Sequence, residues 1–418
     1  MKILLCHKYF YERGGAERFL FELIDILKRK KHETIIFSME DVKNRETQYA
    51  KYFVSNLDYQ NNSTTYKLKN IFKIVGRIIY SKNARNKIES LINDTEPDIA
   101  HLNLIYHHIS PSILYSLKKH NIPIIINAND CKLVCPNYYL YNPVKGETCE
   151  KCVGGHFYHC LMEKCFKDSR SSSLLATAEM YIHNLLKIYK DNIDVFITPS
   201  RFMEEMLIKG GFPEEKIITV NHPFDVKGHK PCFDPGEYYI YAGRLIKEKG
   251  IMTLLEASNR VRNKKLIIAG FESDAAIAAE VKDRRKYPNV EYVGLKFGDE
   301  LFQLFRNASF SVVPSECYDV FPFAVIESFA TGKPVVGARI GGIPELIDDG
   351  KNGFLFEAGN ADDLADKINI LAQNPGMAAE FGRQAREKAE THYSHESYYN
   401  KLSLIYDNAI SSKKTKLQ

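Results

Sequence analysis

No stretch of this chain is apolar for long enough to cross a membrane. Its largest apolar runs, such as Ile122–Ile126, fall far short of the roughly 20 residues a spanning helix needs. The opening "MKILLCHKYF" is equally short of a secretory leader, because charged Lys8 follows the apolar run at once. Both absences point to a cytoplasmic protein without an export or transmembrane segment. The P-loop pattern G-x-x-x-x-G-K-[ST] and the dinucleotide pattern G-x-G-x-x-G are also missing, which argues against an ATPase or an NAD enzyme. No short repeat of the solenoid type occurs.

Charge of one sign is scarce too, with 57 Lys and Arg against 52 Asp and Glu. The net +5 lies in residues 1–225, which hold 31 basic and 26 acidic residues, whereas the remainder holds 26 of each. It is densest in "KLKNIFKIVGRIIYSKNARNK" (Lys67–Lys87), with seven basic residues and no acid. There Ile71, Phe72, Val75, Ile78 and Ile79 follow helical spacing, while Lys69, Lys73 and Arg77 recur every fourth residue. Two readings stand: a solvated helix face, or a helix lying on an anionic membrane surface. No nucleic-acid motif accompanies the patch, so nucleic acid is not expected as a partner.

At 418 residues the chain is too long for one core, and its 44% apolar content supplies two or three. Short β-like runs at Lys2–Cys6, Glu33–Ser38, Asp98–Leu102, Ile122–Ala128 and Asp194–Pro199 alternate with helical patterns. The alternation restarts at Tyr238–Leu245, Lys265–Gly270, Val290–Gly294, Phe310–Ser315, Pro334–Ala338 and Gly353–Glu357. This is the signature of α/β domains with doubly wound parallel sheets. The Pro- and Gly-rich stretch between the halves places a linker at 223–236, after a first domain at 1–222 and before a second at 237–393. Residues 394–418 form a last helix, able to pack on either domain, and a frayed tail. Two such domains should face one another across a central cleft, with ligands at the carboxyl ends of their strands.

In "SECYDVFPFAVIESFATGKPVVG" a buried strand ends at a turn and a helix starts near Pro322, whose missing N–H costs nothing in a first turn. The backbone N–H groups of Phe323, Ala324 and Val325 are then free for an anion. Asp319 precedes that anion site and Glu327 follows it; carboxylates accept hydrogen bonds from sugar hydroxyls. A diphosphate between two sugars fits the order, and that ligand is a nucleotide sugar. Arg244 and Lys249, after the strand at Tyr238, would reach the same cleft and meet the charge of a departing diphosphate.

These residues resemble the retaining glycosyltransferase family 4, whose enzymes have the GT-B fold of two Rossmann-like domains. The resemblance implies that Asp319, in place of the usual Glu, meets the transferred sugar and that Glu327 meets the donor ribose. It puts Arg244 and Lys249 on the donor diphosphate. "IGGIPELIDDGKNGFLF" (Ile340–Phe356) is similar to the family's continuation. Near the start, Gly14 and Gly15 in "GGAE" match a segment lining the donor and acceptor cleft, although a double glycine alone reads equally as a tight turn. Between Pro97 and Ser200 the chain is similar to a bacterial polysaccharide-biosynthesis branch, with Asn103 and Asn129 where that branch usually has histidines. Asn129 can donate and accept a hydrogen bond beside the sugar, but it carries no proton at neutral pH.

Six of the nine cysteines crowd into residues 131–165: Cys131, Cys135, Cys149, Cys152, Cys160 and Cys165. A cytosolic chain should not staple itself with disulfides. Cys149 and Cys152 have metal-knuckle spacing, and Cys160 and Cys165 could complete a structural zinc site; the other reading is reduced thiols in a loop, and Cys135 could replace any of the four.

Together these readings describe a hexosyltransferase moving sugar from a nucleoside-diphosphate donor to a saccharide or lipid-linked acceptor in surface polysaccharide biosynthesis. The catalytic candidates are Asp319, Arg244, Lys249 and Asn129. The donor-binding candidates are Gly14, Gly15, Arg244, Lys249, Phe323, Ala324, Val325 and Glu327. No Asp-x-Asp motif occurs, so no cofactor is expected for catalysis. The protein is expected in the cytoplasm, peripheral on the inner face of the cell membrane. The alternatives are a nucleotide-sugar epimerase of the same fold and a catalytically weak nucleotide-sugar-binding subunit.

Overall fold

A computed structural model describes residues 1–12, 14–56 and 76–415. The first domain is built on β1 (Lys2–His7), β2 (Glu33–Phe37), β3 (Ile99–Asn103), β4 (Ile124–Asn127), β7 (Val195–Thr198) and β8 (Ile217–Thr219). Between β4 and β7 lies the cysteine-rich insertion with a small antiparallel hairpin, β5 (Tyr141–Asn142) and β6 (Glu147–Thr148). The second domain carries β9 (Tyr238–Ala242), β10 (Lys265–Ala269), β11 (Val290–Gly294), β12 (Ser311–Val313), β13 (Val335–Ala338) and β14 (Gly353–Phe356). Strand order is β2-β1-β3-β4-β7-β8 in one sheet and β11-β10-β9-β12-β13-β14 in the other. Every pairing within these two sheets is parallel.

Parallel sheets covered by helices on both faces need strands that are apolar on both faces. Ile3 to Cys6 and Ile124 to Ile126 meet that demand and are wholly buried. All eleven runs expected to be strands are strands. The edge strand β8 escaped notice because three residues, one of them exposed, carry no period. The helix Gly15–Arg29 buries Phe19, Leu20, Leu23, Ile24 and Leu27 on the first sheet, with Glu17 in its first turn and Lys28 and Arg29 in its last, as the helix dipole favours.

The last helix, His395–Thr415, crosses back to the first domain. Its Tyr398, Leu402, Ile405 and Tyr406 belong to that domain's core. The Tyr406 hydroxyl meets His101 Nδ1 at 2.6 Å, and Lys30–Glu396 and Lys413–Asp194 pairs flank the contact at 2.9 and 3.1 Å. His101 is therefore a packing residue.

The basic stretch Lys67–Lys87 departs from expectation. Lys69 and Lys73 lie outside the described residues. Arg77 is buried, and its guanidinium bonds the Ser55 carbonyl and hydroxyl, so it does not face a lipid surface. Ser81 accepts the Ala84 N–H and caps a new helix, Lys82–Thr95, which interrupts the single helix that the spacing suggested.

Burial holds three first-domain histidines uncharged: His7 falls to about 3, His101 to about 4 and His222 to about 3. The unfolded chain binds protons at these rings below about pH 6.5, while the fold does not. Stability is therefore full above that value and is lost as pH falls toward 4. Thermal melts should show Tm dropping between pH 7 and pH 5; a flat profile would contradict this account of the burial.

Candidate active site

β9 and β12 are neighbours where the order of the second sheet reverses, and the connections leaving them diverge to open a crevice at their carboxyl ends. Arg244 follows β9 and stands exposed at the mouth of the crevice, its guanidinium carbon 6.0 Å from the Tyr139 ring centroid. Lys249 closes a short turn before the helix Ile251–Ser258. Gly250 makes this possible: its φ is +70°, and a Cβ there would stand 1.8 Å from the Pro314 carbonyl oxygen. The close approach lays the turn on the end of β12 and brings Lys249 to Asp319, with which it pairs. The Asp319 carboxylate also accepts the Ser315 hydroxyl at 2.5 Å, and its carbonyl accepts the Gly342 N–H at 2.8 Å. Burial pulls the Lys249 ammonium toward neutrality, but the Asp319 charge beside it outweighs that pull and holds its pKa above the ordinary lysine value.

The helix Phe323–Ala330 begins after Pro322, as the proline suggested. Its amide set is smaller than expected. Val325 is wholly buried and its N–H donates to the Pro322 carbonyl at 3.2 Å, so it is not an anion donor. The Phe323 and Ala324 amides have no partner among the described residues. One turn on, Glu327 is 6% exposed and pairs with Arg18 of the first domain.

That pair marks where the domains meet. Arg18 lies one turn into the helix after β1, with its guanidinium 5.0 Å from the Phe224 ring and 5.2 Å from the Phe302 ring. Gly14 is exposed, and a Cβ on Gly15 would stand 3.2 Å from the Phe323 ring. The double glycine thus brings the first domain's backbone up to the helix Phe323–Ala330. The Glu345 carboxylate reinforces the junction by accepting the Arg201 and Phe202 N–H groups, both at 2.8 Å.

On the first domain's side, Asn129 follows β4 and donates to Asn103 Oδ1 at 3.3 Å. This leaves Asn129 Oδ1 and Asn103 Nδ2 unsatisfied, an acceptor and a donor side by side at the strand ends. Behind them Lys132 and His107 bond the buried Glu179 carboxylate at 2.8 and 2.6 Å, and His107 meets the Tyr138 hydroxyl at 2.7 Å. Burial opposes the Glu179 charge, yet His107 and Lys132 together hold its pKa down to about 2. The network ties the loop bearing Asn129 to the helix Arg170–Leu185.

The insertion reaches the donor side. The Tyr318 hydroxyl, next to Asp319, donates to Glu150 at 2.9 Å, and the Tyr318 ring stands 4.8 Å from that of Phe202. All six of its cysteines are free thiols. Cys152, Cys160 and Cys165 share a small buried cluster with Phe157 and Met180, while Cys149 is half-exposed outside it. No three His, Cys, Asp or Glu side chains among the described residues are gathered as a metal-ligand group. The four cysteines expected around zinc are therefore not brought together as a set.

The structure places Arg244, Lys249, Asp319, Phe323, Ala324 and Glu327 around one crevice, with Gly15 against it. Arg18, Glu150 and Tyr318 were missed. Arg18 directly follows the "GGAE" stretch, but its partner lies 309 residues away and spacing carries no sign of it.

With the geometry in place, comparisons identify the family. A model for Glycosyltransferase Family 4 matches residues 13–227, and one for Glycosyl transferases group 1 matches residues 228–388. The chain belongs to glycosyltransferase family 4. An uncharacterized glycosyltransferase of Methanocaldococcus jannaschii, MJ1178, is 30% identical over 37% of this chain and 44% of its own length. An uncharacterized 42.6 kDa protein in the cps region of Klebsiella pneumoniae is 26% identical over 83% of this chain and 87% of its own. The chain thus spans less than half of the archaeal relative and most of the Klebsiella one. Anabaena Alr3699/HepE, solved in complex with UDP, superposes with a TM-score of 0.69 at 16% identity, covering 98% of this chain and 100% of that one. The fold of this family 4 glycosyltransferase is therefore GT-B. No helix among its described residues is long and apolar enough to cross a membrane.

The two cations of this glycosyltransferase should differ in what they do for stability. Lys249→Met leaves Asp319 without its cation and should cost about 2 kcal/mol. Arg244→Ala removes an exposed side chain with no ion-pair partner among the described residues, and should change stability by no more than about 0.5 kcal/mol. Urea unfolding of both variants checks the contrast; equal losses would contradict it.

Proposed function

We propose that this enzyme transfers a hexosyl group from a nucleoside-diphosphate sugar to a saccharide or lipid-linked acceptor, with retention at the anomeric carbon. Its setting is surface polysaccharide synthesis on the cytoplasmic face of the membrane; the cps-region relative supports the polysaccharide assignment. The observation that carries the reading is the crevice between β9 and β12, with two cations, two unpaired amides and two carboxylates, the kinds of group that a sugar–diphosphate–ribose ligand would use.

In this reading Arg244, Lys249 and the Phe323 and Ala324 amides receive the diphosphate, and stabilise it most as it gains charge on leaving. Asp319 meets hydroxyls of the transferred sugar, and Glu327 meets the ribose. Arg18 has five N–H donors and can keep one Glu327 oxygen while the ribose takes the other. Asn129 and Asn103 offer one acceptor and one donor to the sugar from the opposite domain. The anomeric carbon–oxygen bond to the diphosphate breaks as an acceptor oxygen bonds that carbon from the same face. The acceptor's proton passes to the departing phosphate oxygen. The four donors around the diphosphate supply its counter-charge, so no divalent ion enters this scheme.

The test is incubation of purified protein with a panel of nucleoside-diphosphate hexoses and saccharide acceptors, with the product anomer read by NMR. Transfer with the donor's own anomeric configuration, unchanged by EDTA, is expected. An inverted product would overturn the mechanism, and sugar isomerised without acceptor would overturn the transfer. Structural zinc on the insertion is proposed from cysteine spacing; Cys149 would have to move to the buried Cys152, Cys160 and Cys165, or buried Cys135 would take its place. Mass spectrometry should then find zinc that disappears in Cys149→Ser/Cys152→Ser, whereas a folded, metal-free protein would retire the idea.

A further inference from the structure

The helix Arg170–Leu185 is apolar on two sides. One side is committed: Ala176 and Met180 are buried there, and Glu179 holds Lys132 and His107. The other side is not. Leu174, Tyr181 and Leu185 are spaced seven and four residues apart, which puts them on one narrow arc, and Leu174 is 55% and Leu185 82% exposed. The insertion helix Tyr158–Met162 extends this surface, because the Tyr158 N–H donates to the Tyr181 hydroxyl at 3.3 Å and Met162 is 71% exposed. Leu186 adds a further exposed leucine at the helix end. A soluble surface seldom gathers so many large apolar side chains without a partner.

The charges around the patch say which partner. Arg170 and Lys187 bracket the stripe and form no ion pair among the described residues. Residues 158–190 contain three acids, Glu163, Asp168 and Glu179; Glu163 pairs with Lys145 and Lys151, and Glu179 is buried in its own network. Leucine and methionine flanked by cations, with tyrosines whose rings and hydroxyls suit a wet–dry boundary, match the chemistry of an anionic lipid surface. We propose that the outer face of this helix, together with Tyr158 and Met162, docks the protein on an anionic bilayer. Through Glu179 and Lys132 the same helix is tied to the loop bearing Asn129, so a docked face stands one helix behind the strand ends of the cleft. This inference needs no step of the transfer reaction.

The test uses full-length protein and phosphatidylcholine vesicles with and without phosphatidylglycerol. Flotation should occur with the anionic vesicles and weaken in high salt. Leu174→Glu/Leu185→Glu and Arg170→Glu/Lys187→Glu should each reduce binding about tenfold or more. The chain has no tryptophan, so Leu185→Trp provides a single reporter whose emission should shift to the blue on anionic vesicles. Absence of flotation, flotation unaltered by these substitutions, or an unshifted Leu185→Trp emission would each overturn the proposal. So would a dimer in solution that Leu185→Glu splits, because the face would then be a protein interface.

Discussion

Glu327 and Arg18 belong to different domains and meet as an ion pair in the wall of the cleft. Much else at the site depends on that junction. It holds the helix Phe323–Ala330 of the second domain against the first domain's double glycine. Its Glu327 carboxylate is buried, at 6% exposure. A buried charge is tolerated only with a partner, and here the partner comes from the other side. The two halves of the cleft are thereby electrostatically incomplete without each other.

The same logic runs through the crevice. Lys249 is matched to Asp319, Glu345 to two helix amides, and Glu179 to Lys132 and His107. At the cleft, two amides at the start of the helix Phe323–Ala330 and one donor and one acceptor on Asn103 and Asn129 have no partner among the described residues, and the Arg244 guanidinium faces the Tyr139 ring without an ion pair. Preorganised groups of this kind bind a charged ligand without reorganising themselves, which is how a site comes to favour a charge-separated transition state.

Local pattern carried most of the fold. Apolar runs bounded by turns marked the strands because buried parallel strands need apolar residues on both faces, and Pro322 marked the start of its helix correctly. Arg244, Lys249 and Asp319 could be singled out because each lies beyond a strand end, where an α/β sheet collects its ligands. What spacing could not show is contact across the chain. Arg18 finds Glu327, Glu150 finds Tyr318, and Val325 spends its N–H on Pro322, which the helix start alone did not reveal. Arg77 followed a helical period but is buried against Ser55, since a period gives a face and not what that face meets. The exposed stripe of the helix Arg170–Leu185 was hidden for the opposite reason: apolar residues on both sides of a helix blur its period.

Calorimetric titration tests the central claim most directly, by measuring nucleoside-diphosphate sugars against the unaltered protein and against Asp319→Ala/Glu327→Ala. The account predicts that at least one donor binds the unaltered protein and that the doubly substituted protein loses that affinity by about a hundredfold, since two carboxylate contacts are removed. Equal affinity in both proteins would contradict it, because the crevice between β9 and β12 would then not be where the donor is held.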